Sequence, residues 1–174
     1  MKIRRATAHD AEVLSALLTA CVHESYPGHL GSTPDQLRRD VLIEPPRHHV
    51  LLAEVDGEPS GFIAWDAVYD MHWAVGGAQI SDLYVAPARR GLGIALALVA
   101  AAAAEVHAAG GHFIRGGAYD RESTRRAYAR VAVVLPNGET HLGGRALRRL
   151  AELAGRPPRE ILAALPPVEW NFEP

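Results

Sequence analysis

The sequence has one cysteine, Cys21, so no internal disulfide can form, and a reducing, cytoplasmic setting is the expectation. No apolar signal core follows Met1-Lys2-Ile3-Arg4-Arg5, which leads instead into a polar helix start. No sign of charge dominates: 18 Lys and Arg face 20 Asp and Glu, a formal net charge of −2 with no long single-sign run. The electrostatic footprint of a nucleic-acid binder is therefore missing, and nucleic acid is not an expected partner. Long hydrophobic runs are missing too. The longest, Leu92 to Ala104, is alanine-rich, is followed by Glu105 and His107, and falls short of the roughly 20 residues that cross a bilayer. It reads as a core helix, and no membrane partner is expected. There is no internal repeat or low-complexity block. What is there is a chain of 174 residues with 48% hydrophobic content. That is the size of one domain with a sizeable core, spanning 1–174 with a helical C-terminal extension from about 143.

Local patterns place the elements. Ile3 to Ala6 alternates as a short strand, and Thr7 with Asp10 has capping-box spacing, so a helix starts there and presents Val13, Leu14, Leu17, Leu18 and Cys21 on one face. That face accounts for Cys21 as a packing residue. The Gly/Pro-punctuated segment Tyr26 to Pro34 leads to a short helix from Asp35 to about Val41. Arg47 to Val55 and Ser60 to Trp65 flank Asp56-Gly57 and predict a hairpin. Met71 to Gly77 reads as a turn or flexible connection, Gln79 to Val85 as a strand stopped by Pro87, and Leu92 to Ala109 as a helix apolar almost all round. His112 to Tyr119 is a further strand and Glu122 to about Arg130 a short basic helix. A hairpin turning at Pro136-Asn137-Gly138-Glu139, where Asn-Gly supplies the positive φ angles, follows, then helices over Ala146 to Ala154 and near Arg159 to Ala164. The order implies a mixed α/β layered domain whose buried helix joins two parallel strands.

The segment Asp82 to Ala95 sets a strand, a stop, two arginines and two glycines before the long helix. A helix start offers unpaired N–H groups and the positive end of a dipole, which suit a phosphate. Gly91 and Gly93 free the backbone of Cβ interference, and Arg89 or Arg90 can add charge-assisted hydrogen bonds. Two glycines alone do not separate phosphate binding from tight packing. The Walker loop is excluded because no Lys follows the glycines, and the dinucleotide fingerprint because Leu96 stands where its last Gly belongs.

Arg90-x-x-Gly93-x-Ala95, preceded by Leu83-Tyr84-Val85-x-Pro87, resembles the Arg/Gln-x-x-Gly-x-Gly/Ala motif of the GNAT acetyltransferases. The opening Ile3-Arg4-Arg5-Ala6-Thr7-x-x-Asp10 and the element order to about Leu142 are similar as well. The resemblance implies the GNAT fold: a central mixed, mostly antiparallel sheet flanked by helices, with parallel central strands splayed at the acyl-CoA site. It implies acetyl-CoA as co-substrate and direct transfer to a primary amine in a ternary complex, with a small molecule or a peptide as acceptor. It also carries roles. The amides of Gly91, Gly93, Ile94 and Ala95 would hold the pyrophosphate, Leu83 and Val85 would meet the pantetheine arm, and the Val85 amide would face the thioester oxygen. The whole cofactor-binding segment is then Leu83, Tyr84, Val85, Arg89, Arg90, Gly91, Leu92, Gly93, Ile94 and Ala95. Tyr128 stands where the family often keeps a proton donor for the leaving thiolate.

The second motif departs from the family pattern: Arg121, Thr124 and Ala132-Val133 replace the usual Asn, Ala and Gly-Phe around the Tyr. That departure keeps open an alternative, a catalytically weak or inactive acyl-CoA-binding regulatory module. A base for the amine is needed, and Asp82 and Glu54 are the candidates, against the commoner salt-bridged reading of each. No metal is expected, because adjacent strand residues such as His48 and His49 point to opposite faces. The arginines Arg121, Arg125, Arg126 and Arg130 offer either a 3′-phosphate site or a solvated helix face. The C-terminal hairpin and helix offer a face for a homodimer.

Overall fold

A computed structural model describes residues 1–117 and 122–168. Strand β1 (Lys2–Arg5) leads into a single 3-10 turn at Ala8–Asp10 and helix α1 (Ala11–Ser25). The Asp10 carboxylate accepts from the Thr7 amide at 2.8 Å and the Thr7 hydroxyl at 2.9 Å, closing the helix start as the spacing predicts. It also takes the Arg4 guanidinium at 2.7 and 2.9 Å. Hydrogen bonding to Arg4 holds the Asp10 carboxyl well below the usual carboxylate range. Helix α2 (Pro34–Asp40) begins at Pro34, whose missing N–H costs nothing at a first position. Its start is a reciprocal box: Gln36 N donates to Thr33 Oγ1 at 3.3 Å, and Thr33 N donates to Gln36 Oε1 at 2.8 Å.

Strands β2 (His49–Val55) and β3 (Glu58–Asp70) form the expected hairpin. Asp56 and Gly57 take φ of 55° and 82°, the left-handed pair that a two-residue turn needs. Of the two readings of Met71 to Gly77, the structure has the turn, and a shorter one than expected, because β3 runs on to Asp70 and β4 (Val75–Val85) starts at Val75. Asp70 Oδ1 accepts from the His72 amide at 3.0 Å and the Trp73 amide at 3.2 Å, and its other oxygen pairs with Arg115. A buried side chain caps this turn, so no Gly-Pro pattern announces it.

Helix α3 (Ile94–Ala108) buries Leu98, Ala100, Ala102 and Ala103 completely, as an all-round apolar helix should. It stops at Gly110, with φ of 80°, where Gly111 N donates to Val106 O at 2.8 Å and Gly110 N to His107 O at 3.0 Å. Strand β5 (Phe113–Gly117), helix α4 (Glu122–Tyr128), β6 (Val133–Val134) and β7 (Glu139–Gly143) follow, then α5 (Gly144–Glu152) and α6 (Pro158–Ala164). The predicted strand tail beyond Gly117, with Tyr119, lies outside the described residues. The β6–β7 turn uses one left-handed residue, Gly138 (φ 86°), in a three-residue loop closed by Leu135 N to Glu139 O at 2.7 Å.

The strands order as β1-β2-β3-β4-β5-β7-β6. The β4–β5 pair is parallel, registered from Gly77↔Phe113 to Gln79↔Arg115, and β4 continues to Val85 beyond that stretch. The pairs β1–β2, β2–β3, β5–β7 and β6–β7 are antiparallel, so the fold is a mixed seven-stranded sheet with helices. The chain divides into two compact units, Met1–Asp66 with Asp82–Leu98, and Ala67–Ser81 with Val99–Pro174. In the first, Leu14, Leu37, Leu52, Phe62 and Tyr84 form the core, with Cys21 partly buried against it. Burial, reinforced by the Asp82 and Glu24 carboxylates, pushes the Cys21 thiol up to about 11, so it stays protonated and packs as the sequence suggests. In the second, Phe113 stacks on His141 at 5.9 Å, and Leu147, Leu150 and Ile161 are fully enclosed.

Candidate active site

The segment singled out by sequence sits where β4 ends and α3 begins. Ala86 N donates to Ser60 O at 2.9 Å, a single 3-10 turn covers Pro87–Arg89, and the chain then passes through Gly91 (φ 80°) and Gly93 (φ 78°). Both angles lie where an L side chain is strained, so glycine is favoured at each. Gly93 O accepts the first helical bond, from Ala97 N at 3.1 Å. The amides of Ile94, Ala95 and Leu96 therefore precede the first intrahelical donor and point out of the helix start. A Cβ at Gly91 would meet nothing within 4 Å, Leu92 is 56% exposed, and Ile94 alone anchors the loop in the core. This is an open backbone cradle at the positive end of a 15-residue helix, which fits a diphosphate.

The two arginines turn elsewhere. Arg89 Nη1 lies 3.7 Å from Asp56 on the β2–β3 turn. Arg90 Nε donates to Val85 O at 2.9 Å, and its Nη2 reaches both Glu24 oxygens at 2.7 and 2.9 Å. Tyr84, nearly buried, places its hydroxyl 3.2 Å from Glu24 Oε1. Burial and the Glu24 charge raise its pKa.

Of the base candidates, Glu54 accepts from Arg4 Nε at 2.7 Å, so its carboxylate is held within an Arg4, Asp10 and Glu54 network. Asp82 is half-buried on β4 in the first unit, close enough to Cys21 to raise its thiol pKa. Tyr128 ends α4 in the second unit; it is half-buried, and burial pushes its phenol up to about 12. Arg125 donates to Leu135 O at 3.3 Å, while Arg121 lies outside the described residues. His48 contacts Asp66 and His49 stacks on Trp65 at 5.2 Å, so these neighbours face different partners. Among the described residues, no group of three or more His, Cys, Asp or Glu is placed to hold a metal. No described helix is long and apolar enough to cross a membrane.

Two contributors escaped the sequence reading. Glu24 left no signal, because its partner is 66 positions away. Gly61 did leave one, as an isolated glycine inside a strand. A Cβ there would lie 2.5 Å from Tyr84 O and 3.2 Å from Val85 Cα, so Gly61 lets β3 run close beside the end of β4.

Residues 15–132 match the acetyltransferase (GNAT) family. Among solved structures, a ribosomal-protein-alanine N-acetyltransferase from Brucella melitensis biovar Abortus 2308 is similar with a TM-score of 0.63 and 23% identity, over 78% of this chain and 94% of that one. The PaiA N-acetyltransferase of Thermoplasma acidophilum, solved with coenzyme A, is similar with a TM-score of 0.63 and 15% identity, over 82% of this chain and 98% of that one. An aminoglycoside acetyltransferase from an uncultured soil metagenomic sample, in complex with sisomicin, gives a TM-score of 0.58 and 18% identity over 72% and 81%. No curated protein matches the sequence significantly. These likenesses share the mixed sheet described above, and with two thirds of its length matched, the chain belongs to the acetyltransferase (GNAT) family.

Proposed function

We propose that the chain is an acetyl-CoA-dependent N-acetyltransferase, one 1–174 domain, that moves an acetyl group to a primary amine by direct attack in a ternary complex. The observation that carries the reading is the loop: two left-handed glycines set an open row of amides at the start of α3. When bound, acetyl-CoA supplies the thioester carbonyl and a thiol leaving group. The amides of Gly91, Gly93, Ile94 and Ala95 hold the diphosphate. Leu83 and Val85 take the pantetheine arm as an added strand, and the Val85 amide donates to the carbonyl oxygen as negative charge builds there.

Asp82 accepts the proton of the attacking amine. It is preferred to Glu54 because it lies on β4, the strand proposed to take the pantetheine arm. Tyr128 is the proposed acid. With its phenol near 12 and a thiol near about 8.5, that proton transfer runs uphill by roughly three and a half pK units. The departures around Tyr128, with Arg121, Thr124 and Ala132-Val133 in place of the family's Asn, Ala and Gly-Phe, favour a second reading, an acyl-CoA-binding regulatory module with little or no turnover.

The acceptor is a small-molecule or peptide amine; the names of the similar structures include a ribosomal-protein-alanine N-acetyltransferase and an aminoglycoside acetyltransferase. A cytoplasmic location and a homodimer through the C-terminal hairpin and helix complete the proposal. Thiol release from acetyl-CoA, measured across aminoglycosides, alkyl amines and N-terminal peptides, tests it. Release above the amine-free rate is the expected result. Tight CoA binding with no release on any amine would move the chain to the regulatory module.

A further inference from the structure

We infer that Glu24 is a positioning residue for the acetyl-transfer site, acting through Arg90 to fix the Val85 peptide and the entry to the glycine loop. The inference rests on the acetyl-CoA reading above and adds to it a residue that neither the family motif nor the sequence pattern marks.

The geometry is a closed brace. Arg90 Nε donates to Val85 O at 2.9 Å, which ties the residue before Gly91 back to the last residue of β4. The same guanidinium is then held from the other side, its Nη2 lying 2.7 and 2.9 Å from the two Glu24 oxygens. Glu24 is fixed in turn. It lies in the last turn of α1, and its Oε1 also accepts from the Tyr84 hydroxyl at 3.2 Å. Tyr84 is 6% exposed, and its ring lies beneath the guanidinium, 5.7 Å from centroid to Cζ.

An exposed Arg–Glu pair holds little on its own. This one is joined to a backbone carbonyl, to a phenol that reaches out of the core, and to an aromatic face, so the guanidinium has one preferred position. The consequence falls on two places in the proposed chemistry. Anchoring Val85 O restrains the residue whose amide faces the thioester oxygen. Anchoring Arg90 sets the backbone that enters the left-handed turn at Gly91. Ala86 N, bonded to Ser60 O at 2.9 Å, holds the same peptide from the β3 side. Arg90 thus serves the diphosphate by shaping the loop, with its charge already matched by Glu24.

Two accounts of Arg90 make opposite demands on lysine. If the residue only supplies positive charge to the diphosphate, Arg90→Lys preserves CoA affinity. If it positions the loop, lysine cannot bond Val85 O and Glu24 at once, and affinity falls.

The test is calorimetric titration of CoA into the wild type, Glu24→Ala, Glu24→Gln, Arg90→Lys, Arg90→Ala and the Glu24→Ala/Arg90→Ala double variant, with the thermal midpoint of each recorded. Glu24→Ala and Arg90→Lys are each expected to weaken CoA by about tenfold, and Glu24→Gln, which keeps an acceptor oxygen, by about threefold or less. In the Arg90→Ala background, Glu24→Ala is expected to add less than about twofold, because its route to the site is gone. Wild-type affinity in Arg90→Lys, or in folded Glu24→Ala, overturns the inference, as do single effects that multiply in the double variant. If Glu24→Ala fails to fold, Arg90→Lys still decides. A wild type that binds no CoA removes the acetyl-CoA reading itself, and the inference with it. A wild type that binds CoA beside indifferent variants removes only the inference.

Discussion

Asp10 caps the first helical turn through Thr7 and pairs with Arg4, and Arg4 in turn holds Glu54 on the neighbouring strand. One carboxylate therefore joins β1, α1 and β2. Because Arg4 depresses its pKa in the folded chain, the unfolded chain binds the proton more readily between the two values, and stability rises with pH across that window. The contribution is complete above the unfolded carboxyl value of about 3.9 and is lost as pH falls from there towards the native one. With Arg4 partly exposed, Asp10→Asn is expected to cost about 1–2 kcal/mol at pH 7. Urea unfolding of both proteins at pH 7 and at about pH 3 checks this: the gap between them should shrink at the lower pH. A gap that does not change with pH would contradict the assignment.

At the scale of elements, the end of β4 is shaped by what lies beside it. Gly61 admits the Tyr84 carbonyl to within 2.5 Å of where a Cβ would stand, and that atom is backbone, which cannot swing aside. Gly61→Ala must push β3 away from Tyr84 and Val85, at an expected cost of about 1–3 kcal/mol. A weaker CoA titration should accompany the loss, since Val85 moves with the strand. Unchanged stability together with unchanged CoA affinity would show that the close approach has no consequence for the site.

The elements also show which kinds of structure a sequence announces. The turn at Asp56-Gly57 was legible because both left-handed residues are the types that tolerate such angles. The start of α1 was legible because its cap partners are three residues apart. The turn after Asp70 was legible as a turn but not in its length or its cap, because that cap is a buried carboxylate paired with Arg115, 45 positions along the chain. The Pro136 to Gly138 turn was placed correctly, yet its form was not: only Gly138 takes a left-handed angle, and Asn137 contributes a side-chain oxygen that accepts from the Glu139 amide at 3.1 Å.

For the whole molecule, the mixed sheet and the family could be read from the sequence because strand, stop, glycines and helix follow one another within fourteen residues, from Asp82 to Ala95. Glu24 could not, because the brace it closes spans α1 and the loop after β4. The proposed base and acid were less legible for a related reason. Asp82 and Tyr128 belong to different compact units, and neither local motif nor local geometry within a unit assigns a proton route.

The central claim is that the loop from Arg90 to Ala95 takes the diphosphate of acetyl-CoA. The most direct measurement is calorimetric titration of CoA into the wild type and into Gly93→Glu. That substitution sets a bulky, negatively charged side chain at a residue with φ of 78°, beside the amides assigned to the phosphates. The account predicts saturable binding to the wild type and a loss of roughly a hundredfold or more in a folded variant. Equal affinity in the two folded proteins would contradict it.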